Sequence, residues 1–157
     1  MIKRYTDINS FYPKVFADKR RLRRFVELLD AELPPEFRAP EGVLSVAVFD
    51  DRDIAKIHAD FMNKPDPTDV ITFEGDPSDP EEAGEICISA DTARSNAAKF
   101  SNTFSRELSL YVAHGYLHLA GVDDISETDA KVMRRAETLA LAIHDKHFKK
   151  PIFTFND

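Results

Sequence analysis

Ala113-His114-Gly115-Tyr116-Leu117-His118-Leu119-Ala120-Gly121-Val122-Asp123-Asp124 is the stretch that decides how this chain is read. Two histidines four residues apart project from one face of a helix, one turn above the other, so both imidazoles can reach a single Zn²⁺. Gly121 then breaks the helix and tolerates the left-handed turn that other residues resist. The reversal brings Asp123 or Asp124 back as an oxygen ligand and leaves a fourth position open, the mark of a catalytic zinc. From Phe104 to Ala120 the residues Phe104, Leu108, Leu110, Tyr111, Val112, Leu117 and Leu119 make the helix apolar on most sides, which predicts burial. Buried imidazoles need partners, and a metal supplies them better than the alternative, a pair of hydrogen-bonded core histidines.

Outward from this segment, 157 residues with 43% hydrophobic content make one domain over residues 1–157 with a real core. No apolar run reaches the roughly 18 residues that span a bilayer, and the N-terminus lacks a signal-peptide segment. The one cysteine, Cys87, lies in the strand-like run Ile86-Cys87-Ile88 and reads as a buried, inert thiol in a reducing cytoplasm. A net charge of −7 does not advertise a nucleic-acid binder. The charge is uneven, however: Asp50 to Asp91 holds 13 acidic residues against three basic ones, while Lys19 to Arg24 places five cations in six residues. That basic cluster is either a surface for phosphates or a ribosome, or the solvated face of an amphipathic helix.

Patterning predicts a first strand over 2–8 and a helix from Lys19 to Leu33, capped by Asp18, burying Phe25, Leu28 and Leu29 and stopped by Pro34-Pro35. Strands follow at 43–49, 70–73 and 85–89. Helices are expected near 53–63, 90–100 and 127–148, with a turn at 64–67 and a polar loop over 75–84. In the last helix Val132, Met133, Ala136, Leu139, Ala140 and Ile143 recur at core spacing. The fold class is α+β: a small mixed four-stranded sheet packed with about five helices, one of them a metal helix of the zinc-metalloprotease type. Among the other histidines, His58 reads as a helix-surface residue, and His144 and His147 as solvated.

The metal segment resembles the signature of the YbeY family, bacterial endoribonucleases of rRNA maturation and ribosome quality control. Pro67-Thr68-Asp69-Val70-Ile71-Thr72-Phe73 is similar to that family's Pro-Thr-Asp-Val-Leu-Ser-Phe strand, and Gly84-Glu85-Ile86-Cys87-Ile88-Ser89 to its Gly-Asp-Ile-x-Ile-Ser strand. The resemblance implies a single-strand-specific endoribonuclease that processes the 3′ end of small-subunit rRNA in the cytoplasm, with RNA and the small ribosomal subunit as partners and one Zn²⁺ held by His114, His118 and Asp124. It also implies that Thr68 and Asp69 shape the cleft edge beside the metal.

Two departures stand out. The family usually carries Gly-Tyr-Asp-His where this chain has Gly121-Val122-Asp123-Asp124, so the third ligand becomes a carboxylate, a harder donor that opens the site to other divalent ions. Met62 stands where the family places an arginine tied to activity. Either Lys64 or Arg94 replaces that cation, or catalysis is weak. Asp123 is expected to orient a ligand or the chain reversal, or to cap the helix. Glu107, two turns before His114, is an outer partner or base, or, the favoured reading, a first-turn glutamate aligned with the helix dipole. Two rivals remain: a ribosome-biogenesis binding factor with a mainly structural metal, and a metallopeptidase. The peptidase lacks its base, since Gly115 follows the first histidine where a glutamate is required.

Overall fold

The structure is a computed structural model that describes residues 3–64 and 66–157. Strand β1 (Arg4–Ser10) leads through β2 (Val15–Ala17) to α1 (Lys19–Glu32) and, past a single 3₁₀ turn at Pro35–Phe37, to β3 (Gly42–Phe49). Then come α2 (Asp51–Met62), β4 (Val70–Glu74), β5 (Glu82–Ser89), α3 (Ala90–Lys99), α4 (Phe104–Leu119), α5 (Glu127–His147) and β6 (Phe153–Phe155). Among the described residues the main sheet has the order β1-β3-β5-β4: β1, β3 and β5 are parallel, and β4 runs antiparallel on the edge. This is the expected α+β architecture of a mixed four-stranded sheet with five helices.

Each parallel step crosses over through a helix, and the antiparallel edge comes from the short return between β4 and β5. Strand alternation then sorts the side chains. Ile86 and Ile88 of β5 face the main core with α4, whereas Cys87 turns to the other face, where α2 places Ile54 beside Ile71. Burial, and then the charge of Glu85, push the Cys87 thiol up to about 11, so it stays protonated and unreactive. All five α-helices start at a side-chain N-cap: Asp18, Asp50, Ser89, Thr103 and Ser126.

A buried ion pair ties the metal helix to the sheet. The Arg4 guanidinium on β1 donates two hydrogen bonds of 3.0 Å to Asp30 of α1, and the Tyr116 hydroxyl of α4 donates to the same carboxylate at 2.6 Å. Tyr116 lies between His114 and His118, so this anchor sets the rotation of the helix that carries them.

The structure departs from the sequence reading in several places. The first strand begins at Arg4 and runs to Ser10, and Ile2 of the expected strand lies outside the described residues, as does Pro65 of the 64–67 turn. Strand β5 starts at Glu82, inside the expected loop. The antiparallel ribbon of β2 with β6 was not expected, because three-residue strands carry no usable alternation. Val132 is exposed. His144 is buried rather than solvated, packed edge-on against Phe25 with its Nδ1 on Asp145.

Candidate metal centre

Helix α4 is held down by a close approach. A Cβ on Gly115 would lie 2.5 Å from Ile86 Cγ2, so only glycine lets the helix settle on β5 at this depth. The position after His114 therefore faces the sheet, with no room for the glutamate a peptidase needs. Eleven of the helix's sixteen residues are buried, as its apolar pattern predicts, while His114 and His118 stay half-buried and open to solvent on one side.

The helix ends as the sequence suggests. Gly121 has φ +92°, its N–H donates to the His118 carbonyl at 3.0 Å, and the Val122 N–H donates to Leu117 at 3.0 Å. This pair of bonds is a Schellman cap, and it folds the chain back along the histidine face. The Asp124 N–H donates to Asp123 Oδ1 at 3.1 Å, so Asp123 braces the reversal and makes no contact with an imidazole among the described residues.

The reversal delivers Asp124. Its Oδ2 lies 3.6 Å from His114 Nε2 and 3.7 Å from His118 Nε2, and the two Nε2 atoms are 2.9 Å apart. Among the described residues these three form the only group of His, Cys, Asp or Glu with ligand atoms clustered for one ion. The donor set fits the implied metal: a point about 2 Å from each donor lies within the triangle, the distance zinc keeps from imidazole nitrogen and carboxylate oxygen. Side-chain exposures of 21% for His114, 27% for His118 and 43% for Asp124 leave one side of that point to solvent.

A fourth residue completes the arrangement. His114 Nδ1 lies 2.7 Å from Oε2 of Glu137 on α5. The carboxylate accepts a hydrogen bond from Nδ1–H, fixes the tautomer and leaves the Nε2 lone pair aimed at the shared point. The sequence reading offers Glu107 as an outer partner only as its less favoured alternative, and it does not single out Glu137. The signal was present: Glu137 lies four residues after Met133 and three before Ala140, a carboxylate on the buried stripe of an amphipathic helix. Glu107 is a first-turn glutamate of α4, in line with the favoured reading, and it is buried and accepts a hydrogen bond from Asn102. The Glu137→Gln variant is expected to bind zinc 10–100-fold more weakly, read by competition with a chromophoric chelator.

Electrostatics agree with the geometry. Burial pulls the His114 pKa down, but the hydrogen bond and charge of Glu137, with the charges of Asp69 and Asp124, outweigh it and leave the imidazole raised above 6.5. The metal-free protein therefore gains stability from protonated His114 that is complete below the unfolded-state value and lost as pH rises through the folded value. Metal binding works the other way, because a ligand imidazole must be neutral. Zinc uptake is expected to release protons and to weaken as pH falls through the folded value of His114, checked by calorimetric titration in buffers of different ionisation enthalpy.

The remaining predicted residues are placed as follows. Asp69 Oδ1 accepts from the Val70 N–H at 2.8 Å and from Thr68 Oγ1 at 3.3 Å, so the pair closes the turn before β4 while Asp69's charge reaches His114. Met62 is exposed at the end of α2. Arg94 is committed elsewhere, paired with Asp157 at 2.6 Å and stacked over Phe155 at 4.2 Å. Lys64 makes no ion pair among the described residues. His58 Nδ1 bonds the Asp66 carbonyl at 2.8 Å, and His147 bonds Glu32 at 2.7 Å.

The sequence model of the family described as "Endoribonuclease YbeY" matches residues 4–144. A protein of that name from Carboxydothermus hydrogenoformans is 33% identical over 138 residues, covering 87% of this chain and 95% of the relative. Another, from Porphyromonas gingivalis, is 35% identical over 134 residues, covering 85% and 88%. The solution structure of a protein from Thermotoga maritima superposes with a TM-score of 0.60 at 26% identity, covering 88% of each chain.

Proposed function

The chain belongs to the YbeY endoribonuclease family, and from that premise we propose that it is a zinc-dependent, single-strand-specific endoribonuclease that processes the 3′ end of small-subunit rRNA in the cytoplasm and serves ribosome quality control. The observation that carries this reading is the convergence of His114 Nε2, His118 Nε2 and Asp124 Oδ2 on one solvent-open point. A purely structural metal favours a closed set of four protein ligands, so the open side supports catalysis over a binding factor with a structural metal.

In this reading His114, His118 and Asp124 hold the ion. When bound, a zinc lowers the pKa of water towards neutrality and polarises a phosphoryl oxygen. The chain's own residues do the rest. Glu137 accepts the hydrogen bond from His114 Nδ1–H and so holds Nε2 as the metal-facing lone pair. Asp123 fixes the loop that presents Asp124. Asp124, as a carboxylate where the family has an imidazole, leaves the site less positive and more tolerant of other divalent ions. Arg94 is held by Asp157 and Phe155, so the charge of the family's arginine falls to Lys64 or is missing, in which case cleavage is weak. Gly115 excludes the glutamate base that peptidases place directly after the first histidine.

The test is incubation of the protein with single-stranded RNA, duplex RNA and a small-subunit rRNA precursor, with and without chelator. Chelator-sensitive cutting of single strands and trimming of the precursor's 3′ end are expected. Tight RNA binding without cutting at saturating zinc would favour the binding-factor reading.

A further inference from the structure

The basic cluster of α1 takes no part in the metal centre. Along α1 the apolar stripe Leu22, Phe25, Val26 and Leu29 is buried, which turns Lys19, Arg20 and Arg24 fully outward with Arg23 half-exposed between them. Arg21 is bridged to Asp18 and the Arg23 Nε donates to the Thr6 carbonyl at 3.1 Å, whereas Lys19, Arg20 and Arg24 make no ion pair among the described residues. These cations do not suit the helix itself. The first turn of α1 contains no acidic residue, and positive charge there opposes the dipole. Contacts within the fold account for Arg21 and Arg23 but not for Lys19, Arg20 and Arg24, whose charges are free for an external anion.

The face extends beyond the helix. The Arg21 guanidinium donates to the Pro151 carbonyl at 3.2 Å, and the Asp18 N–H donates to Ile152 at 2.8 Å, which brings the exposed Lys149 and Lys150 alongside α1. Strand β6 then pairs with β2, setting Phe16, 58% exposed, opposite Thr154. Two open grooves lie on this part of the chain: one of about 640 Å³ walled by Arg20, Arg21, Arg23 and Arg24 with Asp18 and Glu27, and one of about 530 Å³ whose wall includes Lys149, Lys150 and Thr154. The second groove also touches Ser105 near the start of α4, nine residues or roughly 14 Å of helix before His114.

We propose that this face is a second RNA-binding surface, which grips the phosphates of a single-stranded flank while the metal centre acts on nucleotides farther along. The proposal rests on RNA being the substrate. Guanidinium forks match phosphate oxygens, and an exposed aromatic ring beside them is the combination that holds single strands without reading sequence. The outward side of α1 has no apolar residue in its first two turns, which distinguishes it from a helix that lies in a membrane surface. The cluster lies on a chain of net charge −7, so it concentrates the attraction in one place.

The test compares the full chain with its Arg20→Gln/Arg24→Gln/Lys150→Gln variant, both held in chelator so that RNA is bound and not cut. All three positions are exposed, and unchanged thermal unfolding checks the fold. For a single strand of about 30 nucleotides the variant is expected to bind roughly tenfold more weakly at ~0.1 M salt, with the slope of log Kd against log salt reduced by about 2, the value for three lost phosphate contacts. A strand of about 3 nucleotides spans roughly 10 Å at ~3.4 Å per nucleotide of stacked strand, too short to bridge both places, and is expected to bind the two proteins alike. Equal affinity and equal slope for the long strand, with wild-type binding intact, would overturn the second surface and leave the metal-centre reading standing. Loss of binding to phosphatidylserine vesicles but not to RNA would overturn it in favour of a membrane contact. A wild-type chain that binds neither strand would remove the RNA reading and this inference together.

Discussion

Replacing His114 by alanine is expected to eliminate bound metal and to lower RNA cleavage at least about a thousandfold, since loss of even one preorganised charge stabiliser costs 10²–10³ in rate. His114 contributes twice: its Nε2 is one of three donors, and its Nδ1 links that point to Glu137 at 2.7 Å. Asp124→Ala is expected to lose cleavage with partial retention of the ion, because both imidazoles stay in place on α4. Asp124→His supplies the imidazole usual in the family and is expected to keep cleavage while narrowing the metal preference towards zinc. Elemental analysis of the three variants beside a gel assay separates these outcomes. Cleavage by His114→Ala at the wild-type rate would place the chemistry elsewhere.

Asp30→Ala is expected to have the largest effect on stability, about 3–5 kcal/mol, read from the midpoint of urea unfolding. Arg4 and Asp30 are almost inaccessible, at 3% and 7% side-chain exposure, so removing the carboxylate leaves a guanidinium buried without a counter-charge. The Tyr116 hydroxyl loses its acceptor as well. Domains of this size are stable by only about 5–15 kcal/mol, so the variant is expected to unfold partly at 37 °C. The double variant Arg4→Met/Asp30→Leu removes both charges and is expected to recover most of the loss. Because Tyr116 anchors α4 between the two histidines, zinc affinity is expected to fall in the Asp30→Ala protein that remains folded.

The parts of the site visible in the sequence are those built from neighbours along the chain. The four-residue spacing of His114 and His118, the break at Gly121 and the return of an aspartate all lie within one helix and its cap. Choosing Asp124 over Asp123 needed either the family resemblance or the structure, because a one-residue difference in a reversal has no periodic signature. Glu137 was overlooked because its partner lies 23 residues away and on another helix. It was readable only as a charged residue out of place on an apolar stripe. The Arg4–Asp30 pair had no such signal, since both residues sit where surface positions of a strand and a helix are also found. Strand alternation and helix periodicity located the five helices and the main sheet, while β2 and β6 owe their pairing to the tail folding back over α4 through Ser105, which accepts from the Ile152 and Phe153 N–H groups.

In the proposed function, His114, His118 and Asp124 hold one metal ion on which RNA cleavage depends. The most direct measurement is metal stoichiometry on the untagged protein by elemental analysis, taken with single-strand cleavage on the same sample as isolated, after chelation and after zinc is restored. One equivalent of zinc, cleavage lost with its removal and regained with its return, is the predicted result. Protein that binds no metal when zinc is offered, or that cuts RNA undiminished after complete chelation, would contradict it.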